Sequence, residues 1–186
     1  MGEILKLYHA GFEEIPAPSV HFGRKNADFG QGFYTTAQAE FAKRWARIRK
    51  GQDTVLNIYE LDLEGLNVHR FARDENWFGY IYANRSHQPD TLKEADVIIG
   101  PIANDTIYDT FGIITSGFLT PPQAMKLLMA GPAYEQIVIK TEKAAGQLHF
   151  AGSEILDPQD VQRYRQTVAA EEAEYQKTLA ELLDTI

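Results

Sequence analysis

Three short stretches carry side chains that could do chemistry together: LYHA at residues 7–10, DFGQGFYTT at 28–36 and AYEQIVIKT at 133–141. The imidazole of His9 can hydrogen-bond through either ring nitrogen and titrates close to neutral pH. Gly30 and Gly32 bracket a turn in which two Cβ atoms are missing, and Phe33 and Tyr34 follow it with flat aromatic faces. Glu135 brings a carboxylate that can accept hydrogen bonds and favour positive charge beside it. Singly, each has a plain structural explanation. A histidine at a strand end usually holds main chain in place, and an acid that opens a strand is usually solvated. Other chemistries are less favoured. With no cysteine there is no disulfide, thiolate zinc site or thiol nucleophile. His21, His69, His87 and His149 lack metal-ligand spacing, so no metal is expected. No glycine-rich dinucleotide fingerprint follows the first strand, and the phosphate-binding pattern GxxxxGK[ST] is missing.

The elements that must position these residues are scattered strands and helices. Leu5–His9 alternates as a first strand, and the irregular, glycine- and proline-bearing stretch 11–32 reads as a long loop able to form part of a ligand cleft. Thr35, with Gln38 three residues on, gives a capping-box pattern for a helix whose Phe41, Trp45 and Ile48 share a face and which Gly51 ends. Thr54–Asp62 reads as a central strand, 74–83 as an aromatic-rich helix, and Asp96–Ile102 as a buried strand. A helix capped by Asn104 or Asp105, with Ile107, Phe111 and Ile114 on one face, precedes another from Thr120 and Pro121 to Gly131. Two late strands, Glu135–Thr141 and Gln147–Phe150, lead to a last helix from Asp157-Pro158. Its stripe of Val161, Tyr164, Val168, Tyr175, Leu179 and Leu182 must cover either its own core or a partner. Without regular strand–helix–strand alternation the chain is expected to be α+β, one domain over 1–156 with a C-terminal helix over 157–186.

Composition fits a folded chain: 186 residues, 44% apolar and 11% aromatic. No window is apolar enough for a membrane span and no export signal opens the chain, so a cytoplasmic protein is expected. The formal net charge of -8 repels nucleic acid and anionic lipid overall. One local exception is Lys43, Arg44, Arg47, Arg49 and Lys50 within the expected helix, preceded by Arg24 and Lys25; a solvated helix face is the plainer explanation.

Taken in order, the three stretches resemble the ADP-ribosyltransferase superfamily, in its histidine–tyrosine–glutamate branch of diphtheria-type toxins and poly-ADP-ribose polymerases. LYHA is similar to the first motif, FGQGFYTT to the second and EQIVIK to the third. With Asn84-Arg85, DVIIGPIANDT, QIVIKTEKA and LHF, roughly residues 5–150 also resemble a bacterial domain family once of unknown function and later grouped with these transferases.

The resemblance implies a split antiparallel β-sandwich core with flanking helices, and NAD as co-substrate. It implies a mono-ADP-ribosyltransferase that breaks the nicotinamide–ribose bond and passes ADP-ribose to a macromolecular acceptor, protein or nucleic acid. A toxin held in check by an inhibitory partner protein would fit. His9 would donate a hydrogen bond to the adenosine ribose, Tyr34 would lie on the nicotinamide ring, and Glu135 would stabilise the oxocarbenium-like transition state. The main chain of Ala10, where the family usually has glycine, would hold the carboxamide. Gly30, Gly32, Phe33 and Thr35 would line the nucleotide. Asn84 and Arg85 are further candidates, with Arg85 reaching the pyrophosphate or pairing with Asp96 or Asp105. Glu135 and Gln136 must point to opposite strand faces, and Glu135 is preferred on charge; were Gln136 in the cleft, another acid such as Asp105 would assist. Three alternatives stay open: an NAD glycohydrolase, transfer to an RNA phosphate, and a catalytically silent nucleotide-binding or interaction module.

Overall fold

Two β-branched runs fix the centre of the molecule. In the computed structural model, which describes residues 2–103, 119–129 and 133–184, they are β5 (Val97–Pro101) and β6 (Glu135–Ile139), paired antiparallel. Val97 and Ile99 of β5 and Ile137 and Ile139 of β6 face one way, while Ile98 and Val138 face the other, and all six are buried. Strands apolar on both faces need a layer on each side. On one side lies a second sheet, on the other a layer of helices.

The sheet containing them has the order β2 (Phe33–Thr35), β6, β5, β4 (Val68–Arg70). The facing sheet has the order β1 (Ile4–Gly11), β3 (Thr54–Asp62), β7 (Leu148–Leu156), antiparallel throughout. Between them Leu7, Tyr59, Leu61 and Leu148 pack on Phe33, Val97, Ile99, Ile137 and Ile139. The expected sandwich of wholly antiparallel strands needs one correction, because β4 runs parallel to β5. Three residues reading VHR give no periodicity from which that strand could have been foreseen.

The helices are α1 (Ala39–Trp45), α2 (Glu75–Arg85), α3 (Pro121–Leu128), α4 (Glu142–Gly146) and α5 (Pro158–Leu183). Asp74 caps α2 by accepting from the amides of Asn76 and Trp77, and Thr120 with Gln123 forms a capping box on α3. Trp77, Tyr80 and Ile81 of α2, Leu127 of α3 and Tyr175 and Leu179 of α5 bury on Ile98 and Val138. Val161, at the start of α5, joins Ala42, Leu56 and Leu156 on the outer face of the β1–β3–β7 sheet. The C-terminal helix therefore docks on the core of its own domain. The side chain of Leu182 and the expected helix around Asn104, Asp105, Ile107, Phe111 and Ile114 lie outside what is described. Among the described residues no helix is long and apolar enough to cross a membrane.

The first expected helix is corrected. Thr35 does not cap it: its hydroxyl donates to the Ile137 carbonyl at 2.7 Å, and Thr36 donates to the Glu135 carbonyl at 2.9 Å, so both extend the sheet. The helix starts at Ala39 behind Gln38, with no side-chain cap, and stops at Trp45. Residues 46–50 are outside it, which leaves Ile48 exposed, while Trp45, the last helical residue, keeps an edge-on contact with the Phe41 ring at 5.8 Å between centroids and stays partly exposed.

Candidate functional site

The two sheets touch edge to edge at one place. Tyr8 of β1 and Thr36 beyond β2 exchange main-chain hydrogen bonds, amide to carbonyl, of 2.8 and 3.1 Å. Next to that bridge lies a cavity of about 370 Å³, lined by residues of β1, β2, α1 and β6 and of the loop between β1 and β2. Its volume falls in the range of small-molecule sites. His9, Ala10, Tyr34, Thr35 and Gln136 line it, with Asp28, Arg24, Phe41, Trp45 and Arg47.

His9 reaches the cavity from β1 with its ring over Phe33, centroids 4.7 Å apart. Its Nδ1 lies 2.8 Å from the Tyr34 carbonyl, which can only accept, so Nδ1 carries the hydrogen. Burial pushes its pKa below the ordinary value, the Tyr34 contact opposing it, and the ring is neutral at pH 7. Nε2 is then a bare acceptor. The expected role as donor is corrected: His9 can receive a hydrogen bond from a ligand hydroxyl, not give one.

Tyr34 presents only its ring. Its hydroxyl donates to the Gly30 carbonyl at 2.7 Å and accepts from the Phe29 amide at 3.0 Å. Burial, with the nearby Asp28 charge, drives the phenol pKa far above its usual value, so it takes no part in proton exchange. The loop it grips is held from below as well. Lys140 donates to the Phe29 carbonyl at 2.7 Å and ion-pairs with Asp90. Asn84 donates to the Asp28 carbonyl at 2.9 Å, and Arg85 directs Nε and Nη2 to Asp28 Oδ1 at 2.9 and 2.7 Å.

These contacts revise several expectations. Asn84 and Arg85 are buried and do not line the cavity; among the described residues Arg85 pairs with Asp28, while Asp96 is held by Asn67, Thr141 and Lys143, and Asp105 lies outside the described residues. Gly30, Gly32 and Phe33 do not line it either. Gly30, at φ 76°, sits where a Cβ would strike Asp90 and Lys140, and a Cβ on Gly32 would lie 2.6 Å from the Ile139 carbonyl. The glycines admit β6 and the Lys140–Asp90 pair, not a ligand. Phe33 points into the sandwich.

The third motif turns the other way from the preferred expectation. Gln136 is buried, lines the cavity and shares a face with Val138 and Tyr34; Glu135 is exposed and outside it. Alternation along β6 allows only one of the two neighbours in. Imidazole, phenol and carboxylate thus do not converge as a triad; imidazole, phenol ring and carboxamide do.

The basic run is broken up. Lys43 pairs with Glu40, Arg44 with Glu171 and Tyr134, and Arg49 lies over the Phe12 ring. Arg47, with Arg24 from the loop, stands exposed at the cavity, and among the described residues neither side chain has a hydrogen-bond or ion-pair partner. On the far side of α1 a second cavity of about 580 Å³ opens against α5, sharing Phe41, Trp45 and Arg47 with the first. Asp28, Arg24, Arg47 and Trp45 were not singled out as site residues from sequence. For Asp28 the signal was its place at the head of DFGQGFYTT, and for Arg24 and Arg47 it was their membership of the local basic cluster; Trp45 carried none. Among the described residues no group of three or more histidines and acids is placed to hold a metal.

Searches of curated proteins and of solved structures found no match. Residues 5–150 match a family described only as a protein of unknown function, DUF3990, and since that span is most of the chain and holds every residue of the cavity, the protein belongs to that family.

Proposed function

We propose that this chain binds NAD in the cavity beside the Tyr8–Thr36 bridge, breaks its nicotinamide–ribose bond and transfers ADP-ribose to a macromolecular acceptor. The observation that carries the reading is the meeting of His9, Tyr34 and Gln136, from three distant stretches of chain, on one cavity. The joined sheet edges support a split-sandwich architecture of the ADP-ribosyltransferase kind.

Each group has a task its geometry suits. His9 Nε2 accepts from a ribose hydroxyl, the Tyr34 ring packs on nicotinamide, and the Ala10 main chain meets the carboxamide. Gln136 offers an amide, held by only a long 3.5 Å contact to the Pro101 carbonyl, for a second ribose contact. Arg24 and Arg47 suit the diphosphate. Protein or nucleic acid as acceptor, a cytoplasmic setting, and toxicity restrained by an inhibitory protein belong to the same proposal.

A second reading, nucleotide binding without turnover, is favoured by the exposure of Glu135. One experiment separates them. The protein is incubated with adenylate-labelled NAD and cell extract, and free nicotinamide and labelled macromolecules are followed. Label on macromolecules is the expected result; nicotinamide alone means hydrolysis, and neither product with NAD still bound means the silent module. Glu135→Gln should leave turnover unchanged, while Gln136→Ala should lower it.

A further inference from the structure

We propose that Asp28 is the carboxylate that acts on the bound nucleotide, taking the electrostatic part expected of Glu135, which is exposed and does not line the cavity. The inference rests on the NAD-cleaving reading above and goes beyond it by assigning the acid.

Among the described residues Asp28 is the one acidic residue lining the cavity. Its side chain is 9% exposed, and both Arg85 contacts fall on the same oxygen, Oδ1. No contact among the described residues falls on Oδ2, and since it is not among the buried atoms left without a partner it is open to solvent. An accessible carboxylate oxygen without a partner, on a residue that lines a cavity, can accept from a donor on the ligand. Arg85 does not cancel the effect. It holds the carboxylate in one orientation, with Oδ1 on the guanidinium and Oδ2 turned away from it. A ribose hydroxyl is the donor that suits it.

The chemistry balances without another reagent. The C–N bond between ribose and pyridinium breaks, the electron pair leaves on nitrogen as neutral nicotinamide, and positive charge passes to the ribose C1′ and ring oxygen. A hydroxyl or amine of the acceptor bonds to C1′ and releases its proton to solvent. Asp28 beside the ribose stabilises the charge as it develops. Set against the pyridinium instead, it would stabilise the ground state and slow the reaction, and kinetics distinguish the two.

Nicotinamide release is therefore measured for wild type, Asp28→Asn, and the double variant Asp28→Asn with Arg85→Gln, which removes both charges so that no lone cation is buried. Folding is checked by thermal melting and NAD binding by calorimetry. The expected result is a fall in kcat of roughly 100-fold in Asp28→Asn with KM little changed, and a double variant equally slow though folded and NAD-bound. Wild-type kcat in Asp28→Asn, a rise in KM alone, or recovery in the double variant overturns the assignment and leaves the NAD reading standing. No nicotinamide from wild type overturns both.

Discussion

The floor and the rim of the cavity are built on opposite terms. The floor is a turn, Asp28–Gly32, gripped by the Tyr34 hydroxyl, Lys140, Asn84 and Arg85, and all four of these side chains end in contacts within the protein. The rim is Arg24, Arg47 and Trp45, exposed and, for the two arginines, without partners among the described residues. A floor satisfied internally keeps its shape whether or not a ligand is present, which is what positioning requires. Unpaired cations at a rim gain their partners only from a ligand or from solvent. Substitutions on the floor should thus cost stability first, and substitutions on the rim should cost binding alone.

Lys140→Met tests the floor most severely. Breaking a buried pair leaves Asp90 without its cation, and a loss of about 3 kcal/mol in urea unfolding is expected. An unchanged midpoint would mean that the floor is not held from below. Tyr34→Phe keeps the ring but takes the partner from the Phe29 amide and the Gly30 carbonyl, for an expected loss of about 2 kcal/mol in the same assay. NAD binding, read by calorimetry, should survive in Tyr34→Phe and fail in Tyr34→Ala.

His9 gives the comparison a pH axis. Its folded pKa lies below the ordinary 6.5, so the unfolded chain takes up the proton first as pH falls. The stability its neutral form allows is full above about 6.5, begins to fall as pH drops through that value and is wholly lost once the buried ring itself protonates. Urea midpoints of wild type should decline more steeply than those of His9→Asn on going below that pH; parallel curves would place His9 in open solvent. The smallest effect on stability belongs to the rim. Arg47→Ala should change unfolding by less than about 0.5 kcal/mol yet weaken NAD binding and flatten its dependence on salt.

Much of the frame could be read from the chain alone. Thr54–Asp62 and the runs around Val97–Ile99 and Ile137–Ile139 are apolar enough to announce central strands, and Pro158 opens the last helix where expected. The three motifs did name one cavity. What sequence could not decide was direction. Glu135 and Gln136 are equally good at opening a strand, and only the pairing of β6 with β2 and β5 sets which enters. Thr35 and Gln38 satisfy the helix-start pattern, but a sheet neighbour a hundred residues away claims the threonine hydroxyl. Arg85 was read as a ligand group or an ion-pair partner without Asp28 in view, because nothing local brings it to Asp28, fifty-seven positions earlier.

The chain has two tryptophans, and they sit in contrasting places: Trp77 is wholly buried in the helical layer, while Trp45 is 42% exposed on the wall shared by both cavities. Intrinsic fluorescence is thereby divided between a reporter of folding and a reporter of occupancy. With Trp45→Phe as the silent reference, quenching on addition of a nucleotide can be assigned to a single indole, so that the molecule carries its own optical probe for whatever the cavity accepts.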